Sequence, residues 1–238
     1  MKNIIHFYIT DHCPTHCPFC CMGSGPLNDK FVSMDCFMSS LNSSLSEGSD
    51  NVVRLIGGEP TTHPDFDEML RFLLLQKNVS VVEIITNGIG IEKKLPMIKE
   101  LSERFDKKVH IRFSMNYWLL TVNPAFKEEK IREILGKYKN ENLDFSVNFG
   151  LRNLQKDREE LNKWREIFNS FGCGVRATHL TFYTEEAKKN CPDLYPFRNM
   201  ICPHYGCAEE FINFKGEVFK ACNDLAVEMR SYSNYCEK

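Results

Sequence analysis

The chain has 238 residues, with 30 Lys+Arg against 32 Asp+Glu and a formal net charge of -2. That balance supplies no basic field for nucleic acid or an anionic membrane surface, and no apolar run approaches the ~20 residues of a membrane span. The 11 cysteines are odd in number, and a chain this long buries a core without cross-links, so they read as metal ligands or redox groups in a reducing, cytoplasmic setting rather than disulfides.

In chain order, strands are expected at 4–10, 52–56, 79–86, 109–115, 143–149 and 174–182, where β-branched and aromatic residues run together. Helices of 3.6-residue period separate them. The first follows Ser33, an N-cap, with Met34, Met38, Leu41 and Leu45 on one face; the second follows Asp65 with Phe66, Met69, Leu70 and Leu73. Ile98, Leu101 and Phe105 mark a third, Ile131, Ile134, Leu135 and Tyr138 a fourth, and Leu161, Trp164, Phe168 and Phe171 a fifth. Six strands and five helices in alternation give an α/β fold with a parallel sheet and right-handed crossovers. Periodicity leaves open whether the sheet is doubly wound or a partial barrel. The alternation stops near residue 183. Residues 184–207 are irregular, and 210–218 reads as a β-hairpin turning at Lys215–Gly216. The chain therefore divides into a βα body, 1–183, and a small cysteine-rich appendage, 184–238.

The segment CPTHCPFC places Cys13, Cys17 and Cys20 just past the first strand, spaced by three and then two residues. Three thiolates on one loop grip one face of a cubane iron–sulfur cluster and leave its fourth iron open, the mark of a catalytic rather than a structural site. Cys21, next to Cys20, is expected to point away. A zinc knuckle using His12 or His16 stays open as an alternative.

That spacing after a first strand resembles the signature of the radical S-adenosylmethionine (radical SAM) enzymes. The resemblance implies a [4Fe–4S] cluster on Cys13, Cys17 and Cys20, with S-adenosylmethionine (SAM) on the open iron, cleaved reductively to a 5′-deoxyadenosyl radical. It resolves the architecture to a partial (β/α)6 barrel of TIM type over residues 3–182. Phe19 matches the residue that packs near the adenine. Gly57, Gly58 and Glu59 match the family's GGEP element, which binds the methionyl amino group; paired glycines permit close backbone approach, and a carboxylate suits an ammonium. Ser114, Asn87, Asn116 and Asn148 lie at strand ends, where the family contacts SAM; a turn or cap role is the alternative for each.

Cys202, Cys207, Cys222 and Cys236 form a second group around the hairpin, with Cys191 upstream. The layout is similar to the auxiliary-cluster (twitch or SPASM-like) appendages of radical SAM enzymes and implies one further [4Fe–4S] cluster, on Cys202, Cys207, Cys222 and either Cys236 or Cys191. A structural zinc site is the alternative. Cys36 and Cys173 read as buried small hydrophobes.

The implied activity is hydrogen abstraction, with Arg112, Arg176, His179 and Tyr183 facing substrate and His63 a loop cap. Oxidative modification of a peptide leads. The alternatives are a small-molecule (sugar or aminocyclitol) dehydrogenase, a glycyl-radical-enzyme activase, and a non-catalytic iron–sulfur electron-transfer module. The partners expected are that substrate and an external electron donor of flavodoxin or ferredoxin type, with neither nucleic acid nor membrane. Replacing Cys13, Cys17 and Cys20 together by Ala is expected to leave about four irons per chain on the second group. An iron count near zero refutes that cluster.

Overall fold

The computed structural model describes residues 2–182, 188–189, 191–192, 195–196 and 209–219. Six parallel strands, β1 (Lys2–Tyr8), β2 (Asp50–Ile56), β3 (Val79–Thr86), β4 (Lys108–Asn116), β5 (Leu143–Leu151) and β6 (Gly174–His179), lie side by side in chain order. Helices α1 (Met34–Ser44), α2 (Phe66–Leu75), α3 (Ile91–Phe105), α4 (Tyr117–Val122), α5 (Glu128–Tyr138) and α6 (Leu154–Ser170) connect them. The sheet is open: this is the partial barrel, and the alternation was legible in the sequence. Short strands β7 (Thr181–Phe182) and β8 (Tyr195–Pro196) pair separately, in parallel.

Local chemistry explains several boundaries. Ser33 caps α1 by accepting the Cys36 N–H, as expected, whereas Asp65 makes no side-chain cap to α2. Helix α4 lacks a sequence period because it is only 6 residues long; Asn116 starts it by accepting from the N–H groups of Trp118 and Leu119. The expected first strand ran to residue 10, but β1 stops at Tyr8 and Thr10 makes an isolated antiparallel bridge to Phe31. The expected sixth strand breaks after His179. Leu180 donates its N–H to the Leu151 carbonyl at 2.8 Å, and its side chain lies where a Cβ on Gly150 would fall, 2.6 Å from Leu180 Cδ2.

The hairpin is β9 (Glu209–Ile212) and β10 (Val218–Phe219), antiparallel to each other. Its turn is held by Asn213, whose Oδ1 accepts from Lys215 and Glu217 N–H groups. β9 continues the large sheet, pairing in parallel with β1 from Ile4↔Glu209 to Phe7↔Ile212. At the turn, Gly216 has φ +82°, and a Cβ there would sit 2.4 Å from Ser40 Oγ on α1.

The two faces of the sheet differ. One is covered by helices, and its centre is aromatic: Phe113 stacks on Phe145 at 6.1 Å and meets Phe126 and Phe168 edge-on, at 6.1 and 6.3 Å. The other carries charge. Glu83 binds Arg54, Arg112 at 2.5 Å and His110 Nδ1 at 3.4 Å, while Glu209 binds His6 Nε2 at 2.8 Å. Arg54 Nη1 also lies 3.7 Å from Glu209 Oε2 and so joins the two groups. Burial holds His110 below its usual range despite Glu83 beside it.

Phe113→Ala removes the ring that three other aromatics contact and is expected to cost about 3–5 kcal/mol, read as a lowered denaturation midpoint.

Candidate functional site

The chain leaving β1 is clamped on two sides. On one, residues 25–32 fold back: Val32 N–H donates to Ile9 O at 2.9 Å, Cys13 N–H to Gly25 O at 3.1 Å, and Lys30 N–H to Asp11 Oδ1 at 2.9 Å. On the other, the end of β2 arrives: Gly58 N–H donates to Thr10 O at 2.7 Å and Glu59 N–H to His12 O at 2.8 Å. The glycines permit that approach. A Cβ on Gly57 would meet Thr10 O at 2.5 Å, and one on Gly58 would meet His12 O at 2.1 Å.

Past this clamp, Cys13, Cys17 and Cys20 line one cavity of about 300 Å³ at the carboxyl ends of the strands. Phe19, Gly57, Gly58, Asn87, Ser114, Asn116 and Asn148 line it too, so the structure gathers seven of the eight predicted SAM contacts around the three cysteines. Cys21, expected to point away, also borders the cavity, as does His179.

The eighth, Glu59, is not among the residues lining the cavity, and its side chain is held within the protein. Glu59 is 0% exposed. Its Oε1 accepts from Thr61 N–H at 3.2 Å, Thr61 Oγ1 at 2.6 Å and Thr86 Oγ1 at 2.8 Å, and its Oε2 accepts from Asn87 N–H at 2.7 Å. Four donors within the protein take up the carboxylate. It braces the end of β2 against the end of β3, and burial raises its carboxyl above the usual range against those donors.

The braced segment points a second amide at the cysteines. Asn87 Nδ2 lies 3.3 Å from Cys13 Sγ and 3.4 Å from Thr15 Oγ1, while Thr15 Oγ1 lies 3.1 Å from Cys13 Sγ and 3.8 Å from Cys17 Sγ. Thr15 was missed from the sequence, where only its place between Cys13 and Cys17 marked it. Asn116 lines the cavity and caps α4 at once, and Asn148 Oδ1 accepts from Thr178 Oγ1 at 3.2 Å. Phe19 tilts against Tyr117 at 5.8 Å in an apolar group with Leu180 and Cys191, and Cys191 Sγ accepts from Tyr117 OH at 3.4 Å. Arg112 is engaged by Glu83, and His63 is the loop cap expected, bonding Val32 O and the Asp65 N–H. Tyr183, Cys202, Cys207, Cys222 and Cys236 lie outside the described residues.

The donor set suits a cationic cluster. Burial, with the neighbouring Cys20 adding to it, pushes the Cys13 thiol up to about 11 and that of Cys17 higher. Thiols so placed ionise when a metal centre supplies the balancing charge. Cys13, Cys17 and Cys20 line one cavity, as three ligands of a multi-iron cluster would.

The family model described as the Radical SAM superfamily matches residues 7–171, well over half of the sequence. The chain belongs to the radical SAM superfamily. It is a radical SAM enzyme, and the superfamily's cofactors are a [4Fe–4S] cluster and SAM. Among curated proteins it is similar to the mitochondrial GTP 3′,8-cyclase of Arabidopsis thaliana, 34% identical over 103 residues, which is 42% of this chain and 26% of that protein. The GTP 3′,8-cyclase of Listeria monocytogenes is 29% identical over 103 residues, 42% of this chain and 31% of that one. The matched segment thus spans about a quarter to a third of these relatives. Among solved structures, BtrN in complex with AdoMet and 2-DOIA has a TM-score of 0.52 at 12% identity, covering 94% of this chain and 74% of BtrN. Streptococcus suis SuiB bound to precursor peptide SuiA gives 0.49 at 16% identity, covering 95% and 61%. BtrN supports the fold. Among the described residues no helix is long and apolar enough to cross a membrane.

Gly58→Ala is expected to displace the cysteine loop of this radical SAM enzyme, costing about 1–3 kcal/mol and lowering iron uptake on anaerobic reconstitution. Gly174→Ala, where a Cβ meets open space, is the control and retains iron.

Proposed function

We propose that this radical SAM enzyme cleaves SAM reductively and uses the resulting 5′-deoxyadenosyl radical to abstract hydrogen from a peptide, which is then oxidatively modified. One observation supports the first half of that reading: the thiols of Cys13, Cys17 and Cys20 share a single cavity with Phe19, the Gly57–Gly58 backbone and the strand-end polar groups Asn87, Ser114, Asn116 and Asn148. The chain's own part is to hold the cluster loop against the end of β2, to orient SAM on the strand ends, and to bury the reacting face beneath Phe19.

The peptide class rests on the C-terminal cysteines, whose spacing around a hairpin resembles appendages that accept an electron from a substrate radical. In this reading Cys202, Cys207, Cys222 and Cys236 hold the second [4Fe–4S] cluster, and a flavodoxin- or ferredoxin-type protein delivers the electron that starts the reaction. A second reading, dehydrogenation of a small polar molecule, is favoured by the polar strand-end groups Ser114, Asn148 and Thr178, which line the same cavity and suit hydroxyl or amino groups.

Anaerobic reconstitution followed by SAM and dithionite is expected to yield 5′-deoxyadenosine in the wild type and none in Cys20→Ala. No 5′-deoxyadenosine from fully iron-loaded protein refutes the reading. Deuterated substrates then separate the classes: label carried into 5′-deoxyadenosine from a peptide supports the first, and label carried only from an aminocyclitol or sugar supports the second.

A further inference from the structure

We infer that Asn87 and Thr15 are positioning residues that set the reduction potential of the SAM-binding cluster, through two hydrogen bonds onto the sulfur of Cys13. The inference rests on the radical SAM reading and adds a role which that reading does not contain.

The orientation of Asn87 is fixed by its other contacts. Its Oδ1 accepts the Ile89 N–H at 2.9 Å, so its Nδ2, a donor, is the atom that faces Cys13. Three further bonds hold the residue in place. Glu59 Oε2 accepts its N–H at 2.7 Å, Asn123 Nδ2 donates to its carbonyl at 2.6 Å, and Thr86 Oγ1 accepts the following Gly88 N–H at 2.9 Å. Thr15 receives the second Nδ2 hydrogen at 3.4 Å, which leaves its own hydroxyl hydrogen for Cys13 Sγ at 3.1 Å. Both residues are buried, Asn87 at 8% and Thr15 at 7% exposure, so water does not replace the donors.

The three sulfurs are not treated alike. Cys13 has two side-chain donors within 3.3 Å, whereas the Thr15 contact to Cys17 is long at 3.8 Å. A donor to a cluster-ligating thiolate stabilises the more negative, reduced state and raises the potential. Two buried donors on one sulfur therefore ease the transfer of one electron from the external reductant into the cluster, the event on which SAM cleavage waits. The chain gives this work to a residue of the loop and a residue of the β3 end, tied together through Glu59.

The test is a potentiometric titration of reconstituted protein under anaerobic conditions. It follows the paramagnetic resonance signal that shifts on adding SAM, which separates this cluster from any second one. Thr15→Val removes the hydroxyl at constant size, and Thr15→Ser keeps it. Asn87→Ser keeps a turn acceptor for Ile89 but withdraws the amide from Cys13. Thr15→Val and Asn87→Ser are each expected to weaken reduction about tenfold, about 59 mV for one electron, with iron content retained. Thr15→Ser is expected to restore the wild-type potential, and the double variant to fall further than either single one. Potentials equal to wild type in both single variants overturn the inference. So does loss of iron from both, which assigns the pair to cluster assembly, and so does a Thr15→Ser potential matching that of Thr15→Val. A wild type that loads iron but forms no 5′-deoxyadenosine fails the proposed function and leaves the potentials readable. Unmoved potentials in an active wild type fail this inference alone.

Discussion

Two backbone hydrogen bonds, from Gly58 to Thr10 and from Glu59 to His12, govern the active end of this molecule. They join the chain leaving β1 to the chain leaving β2 at a separation that side chains do not permit, since a Cβ on Gly58 would lie 2.1 Å from the His12 carbonyl oxygen. Everything that follows them inherits their geometry. The cysteine loop begins one residue beyond His12, and the carboxylate that organises the β3 end begins one residue beyond Gly58. Gly57 and Gly58 thus serve two purposes at once: they line the cavity, and they let two strand ends close on each other.

Glu59 extends that closure across the sheet. A fully buried carboxylate is costly to hold unless its lone pairs are occupied, and here Thr61, Thr86 and Asn87 occupy them. The result is a polar tie between β2 and β3 inside the protein, directly behind the cysteine loop. Catalytic groups are often held this way, by residues that never touch the reacting atoms but leave their neighbours one orientation. The charged inner face works on the same principle at a lower level of the barrel. Glu83 and Glu209 gather His6, Arg54, His110 and Arg112 from three strands, so that no carboxylate or guanidinium of the group is buried without a counter-charge.

Much of this was legible in the sequence, for identifiable reasons. The βα alternation follows from local periodicity, Ser33 from capping chemistry, and the cysteine triad from spacing alone. The contacts that could not be read are those that join distant segments. Nothing in CPTHC says that Thr15 turns its hydroxyl to Cys13, because rotamer choice depends on the packed loop. The internal bonding of Glu59 could not be read either: its four donors come from residues 61, 86 and 87, which only the folded sheet brings near. Helix α4 was too short for a period. The seat of the Leu180 side chain is the space left by a glycine thirty residues earlier. The pairing of β9 with β1 left no local trace either, since which strand flanks β1 is chosen by the whole sheet.

That last pairing has a consequence for how the chain is made. His6 and Glu209 are 203 residues apart in sequence, yet β1, which precedes the other strands of this sheet in the chain, finds its outer neighbour only in β9. Until then its unpaired edge, flanked by Ile5 and Phe7, is open to association with other chains. Contacts of such long range form late and slowly. The cysteine loop that follows β1 therefore leaves a strand that stays half enclosed until residues 209–212 are in place.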